Sequence, residues 1–181
     1  MSLECEAKLK VPDLGRIQVK LKRLGASNDG RCLERNWVFD DLESSFRKSG
    51  KLLRVRSMGG DSGVLTIKIP VVGGEFKNRE EIETMVDSTT DLLRQLDVLG
   101  FRIIWIYEKY RQTWCWHDCV LALDECPELG CFVEIEGTPE CIREAATELG
   151  LDPDAHIEDN YLGLWTKHLT ALGQSFRNMV F

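Results

Sequence analysis

Charged side chains occupy alternate positions along strand-like segments of this chain. In the opening segment Glu4, Glu6 and Lys8 fall on every second residue, and the residues between them are apolar or small. Side chains of a β-strand alternate between its two faces, so these three charges share one face of a strand. A sheet built from such strands must place its apolar face in a core and its charged face where water or ligands reach it.

The same alternation recurs along the chain, and the two signs of charge are nearly balanced. The cations on these faces are Lys8, Arg54, Arg56, Lys68, Arg79, Lys109 and Arg111, and the carboxylates are Glu4, Glu6, Glu81, Glu83, Asp124, Glu134 and Glu136. If all these faces point inward, the interior cannot be dry, because each unpaired buried ion costs several kcal/mol. The pattern therefore predicts a water-filled tunnel in which the charges pair with each other, with a metal ion and with a ligand.

An open sheet with its charged faces in solvent is the alternative, since cross-strand ion pairs would give the same alternation. The repetition of E-x-E and R-x-R pairs over six strands favours the tunnel. Carboxylates suit a hard cation such as Mg²⁺ or Mn²⁺. Arginine and lysine suit phosphate oxygens. Together they indicate a divalent metal and a polyanion, most naturally a triphosphate.

Hairpins dominate the predicted connections, which favours an antiparallel α+β fold. Strands are predicted at 2–10, 32–40, 51–57, 64–69, 75–84, 102–116, 119–124 and 131–137, and helices at 12–24, 88–99, 138–149 and 161–172. The polar segment 41–50 is predicted to be a loop. In the last helix, Trp165 and Leu169 are interpreted as core residues, whereas His156 and His168 are expected at the surface.

Composition restricts the class of protein. The 181 residues suit one domain over 1–181, and the net charge of −7 argues against a general nucleic-acid binder. No apolar run could span a bilayer and no signal peptide is visible, so we expect a cytoplasmic protein without a membrane partner. The seven cysteines are expected to be reduced thiols in that compartment.

A second metal site is conceivable near the middle of the chain. Cys115, His117 and Cys119 could line one strand face as zinc ligands, but no fourth ligand is evident nearby. The favoured interpretation is a hairpin with its tip at His117 and Asp118.

The ordered set of motifs resembles the CYTH superfamily, the triphosphate tunnel metalloenzymes. The matching segments are E-x-E-x-K (Glu4, Glu6, Lys8), L-R-V-R (53–56), T-I-K (66–68), R-E-E-I-E (79–83), E-K-Y-R-Q-T-W (108–114), L-D (123–124), L-G-C-F-V-E-I-E-G (129–137) and N-Y-L (160–162). The later segments resemble most closely the CyaB-like branch, which contains class IV adenylyl cyclases. Only Phe39 and Asp40 match the Y-F-D-T-P segment of that branch. The resemblance is therefore weaker for the nucleoside side of the pocket than for the phosphate side.

The resemblance implies a closed eight-stranded antiparallel β-barrel, a tunnel with flanking helices. It implies metal ligands at Glu4, Glu6, Glu134 and Glu136, with Asp124 nearby. It further implies a triphosphate held by Lys8, Arg54, Arg56, Lys68, Arg79, Lys109 and Arg111, and among the residues of both sets we expect Glu4, Glu6, Lys8, Lys109 and Arg111 to be catalytic.

Three functions are open at this point. The first is a CyaB-like adenylyl cyclase that converts ATP to cyclic AMP and pyrophosphate, using Mg²⁺ or Mn²⁺. The second is a triphosphatase acting on thiamine triphosphate, tripolyphosphate or a nucleoside triphosphate. The third is a non-catalytic triphosphate-binding module, which the four metal-facing glutamates disfavour. The resemblance also suggests a homodimer.

Overall fold

The computed structural model describes residues 2–181 and contains eight strands, five α-helices and one 3₁₀ turn. The strands are β1 (Ser2–Val11), β2 (Ser27–Asp40), β3 (Leu52–Ser57), β4 (Gly63–Val71), β5 (Lys77–Val86), β6 (Arg102–Trp116), β7 (Cys119–Cys126) and β8 (Gly130–Glu136). The helices are α1 (Leu14–Arg23), α2 (Ser45–Lys48), α3 (Thr89–Val98), α4 (Pro139–Glu148) and α5 (Tyr161–Ala171), and the 3₁₀ turn is Pro153–Ala155.

The eight strands close into an antiparallel barrel in the order β1-β5-β4-β3-β2-β6-β7-β8, and β8 returns to β1. This confirms the predicted α+β class and the closed barrel with flanking helices. The barrel has no free strand edge between its members, because each strand pairs with two neighbours. The charged faces of the strands are therefore turned toward a common interior.

The structure corrects the prediction in two places. Segment 41–50 is not only a loop but contains α2, whose first turn is stabilised by Asp40: its carboxylate accepts the backbone N–H groups of Phe46 and Arg47 at 3.0 and 3.1 Å. Strand β2 begins at Ser27, five residues earlier than predicted, because its first part pairs with the long strand β6 across a register shift between Asn28 and Arg31.

The main apolar core lies outside the barrel wall, under the helices. Helices α1 and α4 contribute Ile17, Leu21 and Ile142 to a cluster that covers the outward faces of β1, β7 and β8. Helix α3 covers β3, where Leu96 packs in one cluster with Leu53 and Val55. This arrangement follows from the alternating sequence, since the apolar residues of each strand face the helices and leave the charged residues inside.

A third apolar cluster joins α5 to one end of the barrel interior. Trp165 and Leu169 are fully buried there, as predicted, together with Trp105 and Phe132. Met179, in the segment that follows α5, belongs to the same cluster and adds backbone pairing to β6: it accepts the N–H of Glu108 at 2.8 Å and donates to the carbonyl of Ile106 at 3.0 Å.

The cysteines and histidines differ in part from the prediction. Cys119 and Cys141 form a disulfide that joins β7 to α4, so the expectation that all seven thiols are reduced is wrong. The other five cysteines are free. The β6–β7 hairpin at His117 is confirmed.

His156 and His168 are partly buried rather than fully at the surface. The ring of His156 packs edge-on against Phe76, and that of His168 stacks on Trp165. Both imidazoles therefore serve packing outside the charged interior. Across residues 2–181, no helix combines the length and the apolar character that crossing a membrane requires.

Candidate active site

A cavity of about 330 Å³ lies inside the barrel, and it is lined mainly by charged side chains. Among the residues predicted to face inward, Glu4, Glu6, Lys8, Arg54, Arg56, Lys68, Arg79, Glu81, Glu83, Lys109, Arg111, Glu134 and Glu136 line this cavity. Asp124 alone of the predicted set does not. The cavity is also lined by Val38, Leu52, Lys77, Trp105, Tyr107, Asn160, Tyr161 and Leu162.

Strand register brings opposite charges together across the wall. Strand β1 lies between β5 and β8, so Glu4 is opposite Arg79, and Lys8 is opposite Glu134. Glu6 is opposite Lys77 on one side and Glu136 on the other. Directly opposed residues of an antiparallel pair have neighbouring side chains on the same face. The repeated E-x-E motif of β1 is thus placed beside both cations and carboxylates.

One part of the wall, which we call the cationic region, consists of Lys8, Arg54, Arg56, Lys109 and Arg111. Its centre is Lys109, only 2% exposed, whose ammonium lies 2.9 Å from Asp124 and 3.6 Å from Glu34. Arg111 forks onto Asp124 with donor–acceptor distances of 2.7 and 2.6 Å and also contacts Glu134. The cations of this region are therefore held in place by acidic partners before any ligand binds.

Asp124 has a different place from the one expected. It is fully buried, and its carboxylate accepts hydrogen bonds from Lys109, Arg111 and the hydroxyl of Tyr161 at 2.7 Å. A carboxylate with these donors around it orients the cations and has no oxygen turned to the cavity. Its assignment as a metal ligand is a prediction that this geometry does not favour.

Ion pairing keeps the carboxylates of the cationic region ionised. Burial acts to raise the pKa of Glu34, but the charges of Lys109, Arg111 and Arg56 outweigh it and lower that pKa to about 2. Burial is likewise outweighed at Glu134, where Lys8, Lys109 and Arg111 hold the pKa well below its usual value. Each acid here neutralises cations that would otherwise repel one another.

A second part of the wall, which we call the acidic region, consists of Glu4, Glu6, Glu81 and Glu136. Two lysines reach into it: Lys68 lies 2.6 Å from Glu4 and 3.3 Å from Glu81, and Lys77 lies 3.1 Å from Glu6. Glu136 makes no ion pair within the described part of the chain. Negative charge is therefore in local excess.

The pKa values of this region reflect that excess. Partial burial, followed by the repulsion of Glu4, raises the pKa of Glu136 to about 7. Burial also raises the pKa of Glu4, although Lys68 opposes it. The pKa of Glu6 is lowered despite burial and the repulsion of Glu134, because Lys8 and Lys77 lie close. A divalent cation would relieve the repulsion at Glu136 and Glu4.

The donor chemistry of the acidic region fits a hard divalent metal, since it offers carboxylate oxygens only. The carboxylates are not arranged as a finished ligand set: within residues 2–181 no three acidic, histidine or cysteine side chains form a cluster ready to hold a metal. Glu4 and Glu6 would have to exchange their lysine partners for the metal. Such an exchange would release Lys68 from Glu4 and Lys77 from Glu6.

The cavity also has an apolar side formed by Val38, Leu52, Trp105, Tyr107 and Leu162. The rings of Trp105 and Tyr107 stack with centroids 4.4 Å apart. The indole N–H of Trp105 has no hydrogen-bond partner in the described residues. Polyphosphate alone gains nothing from such a surface, whereas a flat organic group does.

Sequence reasoning assigned no role in the site to four interior residues. Glu34 and Asn36 lie on the inward face of β2, where both amide atoms of the fully buried Asn36 are unpartnered in residues 2–181. The alternation of β5 places Lys77 on the same face as Arg79 and Glu81, but the predicted set of inward-facing cations does not include it. Tyr161, at the start of α5, lies in the N-Y-L segment that resembles the CyaB-like branch, but the sequence does not indicate that its side chain reaches the charged interior.

A family profile described as the CYTH domain matches residues 2–158. The chain belongs to the CYTH family. A protein of Methanocaldococcus jannaschii that carries the provisional name adenylate cyclase is 28% identical over 142 residues, which are 78% of this chain and 81% of that protein. The family assignment made from the ordered motifs is therefore confirmed.

Solved structures with the same fold are known from bacteria, archaea and a plant. A Vibrio parahaemolyticus protein provisionally described as an adenylate cyclase has a TM-score of 0.79 at 17% identity, covering 91% of this chain and 98% of that one. A Pyrococcus horikoshii protein has a TM-score of 0.74 at 23% identity, covering 88% and 97%. A Hippeastrum protein, described as an adenylyl cyclase candidate with dominant triphosphatase activity, has a TM-score of 0.65 at 18% identity, covering 97% and 98%. At these identities the likeness concerns the fold.

Proposed function

We propose that this CYTH protein is a metal-dependent enzyme that acts on an organic triphosphate, and that it acts as an adenylyl cyclase on ATP. The observation that carries the proposal is the composition of the cavity inside the barrel. That cavity combines a prearranged cationic region, a carboxylate region with excess negative charge and an apolar aromatic side. A pure anion binder would gain nothing from the acidic region.

The cationic region would bind the triphosphate. Lys109 and Arg111 are oriented by Asp124, so they present fixed positive charge to phosphate oxygens without reorganisation. Arg79 makes no ion pair within residues 2–181 and is available to an anion. In a cyclase reaction the 3′-hydroxyl attacks the α-phosphorus and pyrophosphate leaves, and these cations stabilise the charge that develops on the leaving group.

The acidic region would hold Mg²⁺ or Mn²⁺, with Glu4, Glu6 and Glu136 as the candidate ligands. A bound divalent ion supplies Lewis-acid stabilisation of phosphoryl oxygens. The residues themselves position the ion against the substrate and keep the lysines of the region in reach of phosphate. Glu81 shares Lys68 with Glu4 and would hold that lysine when Glu4 exchanges partners.

The apolar side of the cavity favours an organic triphosphate over bare tripolyphosphate. A purine could lie against the stacked rings of Trp105 and Tyr107, which line the cavity. Hydrolysis by a triphosphatase is the second candidate, because the Hippeastrum protein described with that activity has the same fold. The same cations would then stabilise charge at the terminal phosphate.

Product analysis separates these functions. Purified protein with Mg²⁺ or Mn²⁺ is offered ATP, thiamine triphosphate and tripolyphosphate in turn. Cyclic AMP with pyrophosphate supports the cyclase, and orthophosphate supports the triphosphatase. Binding of a triphosphate without any product would contradict both and leave a binding module.

A matched pair of variants ties the activity to this cavity. Arg111→Met removes a cavity cation, whereas Lys22→Met removes an exposed lysine of α1. We expect product formation to be abolished by the first change and unaffected by the second. Equal activity in the two variants would place the reaction elsewhere.

A further inference from the structure

Hydrogen bonds join the segment just before α5 to β1, beside the cationic region. The backbone N–H of Ile157 donates to the carbonyl of Lys8 at 2.7 Å, and the ammonium of Lys8 donates to the carbonyl of Asp159 at 3.3 Å. Asn160 then caps the helix by accepting the N–H of Gly163 at 2.9 Å. These contacts place Tyr161, the first residue of α5, at the cavity wall.

Tyr161 contacts two cations of the cationic region and the carboxylate that orients its centre. Its hydroxyl donates to Asp124 at 2.7 Å, and its ring lies under the ammonium groups of Lys8 and Lys109, with centroid distances of 4.3 and 5.0 Å. The side chain is 6% exposed and packs edge-on against Phe132. It nevertheless lies beyond residue 158, where the match to the CYTH domain ends.

We infer that Tyr161 is a positioning residue for the phosphate-binding cations: its hydroxyl shares Asp124 with Lys109 and Arg111 while its ring face supports Lys8 and Lys109. This inference rests on the proposed function, because it assumes that these cations bind the triphosphate. Helix α5 then contributes a residue to the site, in addition to packing against one end of the barrel.

The physical reason lies in the charge of Asp124. Its carboxylate accepts from Lys109 and Arg111 as well as from Tyr161, so the hydroxyl satisfies part of its hydrogen-bonding capacity. Without the hydroxyl, the buried Asp124 attracts the two cations more strongly and withdraws them from the cavity. The face of the ring attracts both ammonium groups through its quadrupole. Without the ring, the positions of the two ammonium groups would be less fixed.

A purely structural role for Tyr161 predicts something different. Its neighbours Trp165 and Leu169 are core residues, and a tyrosine that only packs with them would affect stability alone. Removing the hydroxyl would then lower the melting temperature but leave the folded protein with unchanged affinity for phosphate. Anion affinity, measured on folded protein, therefore distinguishes the two roles.

The test is calorimetric titration of the folded protein with inorganic tripolyphosphate, and separately with Mn²⁺ alone. Tyr161→Phe keeps the ring and removes the hydroxyl, and Tyr161→Leu removes both. Tyr110→Phe is the matched control, because Tyr110 lies on the outer face of the barrel against Arg31 and Phe181. We expect tripolyphosphate affinity to fall about tenfold for Tyr161→Phe and further for Tyr161→Leu, with Mn²⁺ affinity unchanged in both.

Two outcomes would overturn the inference, and they are distinguishable. If the wild-type protein binds tripolyphosphate and Tyr161→Phe binds it equally well, Tyr161 does not position the cations, although the proposed function stands. If the wild-type protein does not bind tripolyphosphate at all, the proposed function fails and the inference fails with it. Should Tyr161→Leu be unfolded, Tyr161→Phe alone decides, since it preserves the packing of the ring.

Discussion

The two regions of the cavity wall differ in how their charges are balanced. In the cationic region every acid is surrounded by lysine and arginine, and the pKa values of Glu34 and Glu134 lie below their usual range. In the acidic region carboxylates face one another, and the pKa of Glu136 is raised to about 7. The first region has its counter-charges built in, whereas the second has fewer cations than carboxylates.

In the cationic region the fold itself supplies the opposite charges, whereas in the acidic region a bound cation would have to supply them. Lys109 and Arg111 are held by Asp124 from the start, which is preorganisation for an anion. Glu4 is held by Lys68 and would have to change partners to act as the metal ligand that we propose. A metal and a polyphosphate that arrive together could satisfy the carboxylates and the lysines at once.

The largest expected effect comes from breaking the cationic region at its centre. Lys109→Met removes a fully buried cation and leaves Glu34 and Asp124 with fewer partners. We expect the free energy of unfolding to fall by about 3 kcal/mol, because breaking a buried ion pair leaves a poorly compensated charge. Urea denaturation measures this change.

The comparison for that variant is Lys22→Met, which removes an exposed lysine from α1. Its free energy of unfolding should stay within about 0.5 kcal/mol of the wild type. If Lys109→Met were as stable as Lys22→Met, the cationic region would not be the tightly paired network described above.

The next effect concerns the acidic region. Glu4→Gln and Glu136→Gln each remove one carboxylate charge, and we expect Mn²⁺ affinity to fall at least tenfold in both, because hard cations need charged oxygen ligands. Titration calorimetry or electron paramagnetic resonance of free Mn²⁺ would measure it. Glu144→Gln, on the exposed side of α4, should bind Mn²⁺ as the wild type does. If both cavity variants bound Mn²⁺ as tightly as the wild type, the metal would not bind in this region.

A smaller effect is expected at Arg79, the cavity cation without an ion pair in the described residues. Arg79→Met should weaken tripolyphosphate binding about tenfold while leaving the melting temperature close to that of the wild type, because no internal pair is broken. Arg79→Lys keeps the charge and should recover part of the affinity. A large loss of stability in Arg79→Met would show that this arginine also stabilises the fold, as Lys109 is expected to do.

The smallest effect is a pH dependence of stability. Because the pKa of Glu136 is raised to about 7, the folded protein favours its protonated form, and the associated stability is lost as the pH rises through about 7. Without metal, the melting temperature of the wild type should therefore fall relative to that of Glu136→Gln between about pH 5.5 and pH 8. The shift should be about 1 °C, because Glu136 is partly solvated. A difference that stays constant with pH would contradict the raised pKa.

Much of the barrel could be predicted from the chain because the alternation of charged and apolar residues is local information. Glu4, Glu6 and Lys8 share a face whatever the strand pairs with, and so do Glu134 and Glu136. The pairing itself is non-local. The resemblance to the CYTH family implies a closed barrel of eight strands, but the strand order and register that place Glu4 opposite Arg79 come from the structure.

The missed features depend on tertiary contacts. From the sequence, Asp124 is placed near the metal ligands, but the residues that surround it come from two other elements, Lys109 and Arg111 from β6 and Tyr161 from α5. The inward position of Glu34 was not detected, because β2 has less regular alternation and a shift in register near its start. The disulfide between Cys119 and Cys141 joins residues whose proximity requires α4 to pack on β7.

The division of the cavity into two regions is tested most directly by crystals of the protein grown with Mn²⁺ and tripolyphosphate. The anomalous signal of Mn²⁺ locates the metal, and the electron density locates the phosphates. We predict Mn²⁺ in contact with carboxylates of Glu4, Glu6 or Glu136, and phosphate oxygens in contact with Lys109 and Arg111. Mn²⁺ bound to Asp124, or tripolyphosphate bound outside the barrel, would contradict this division.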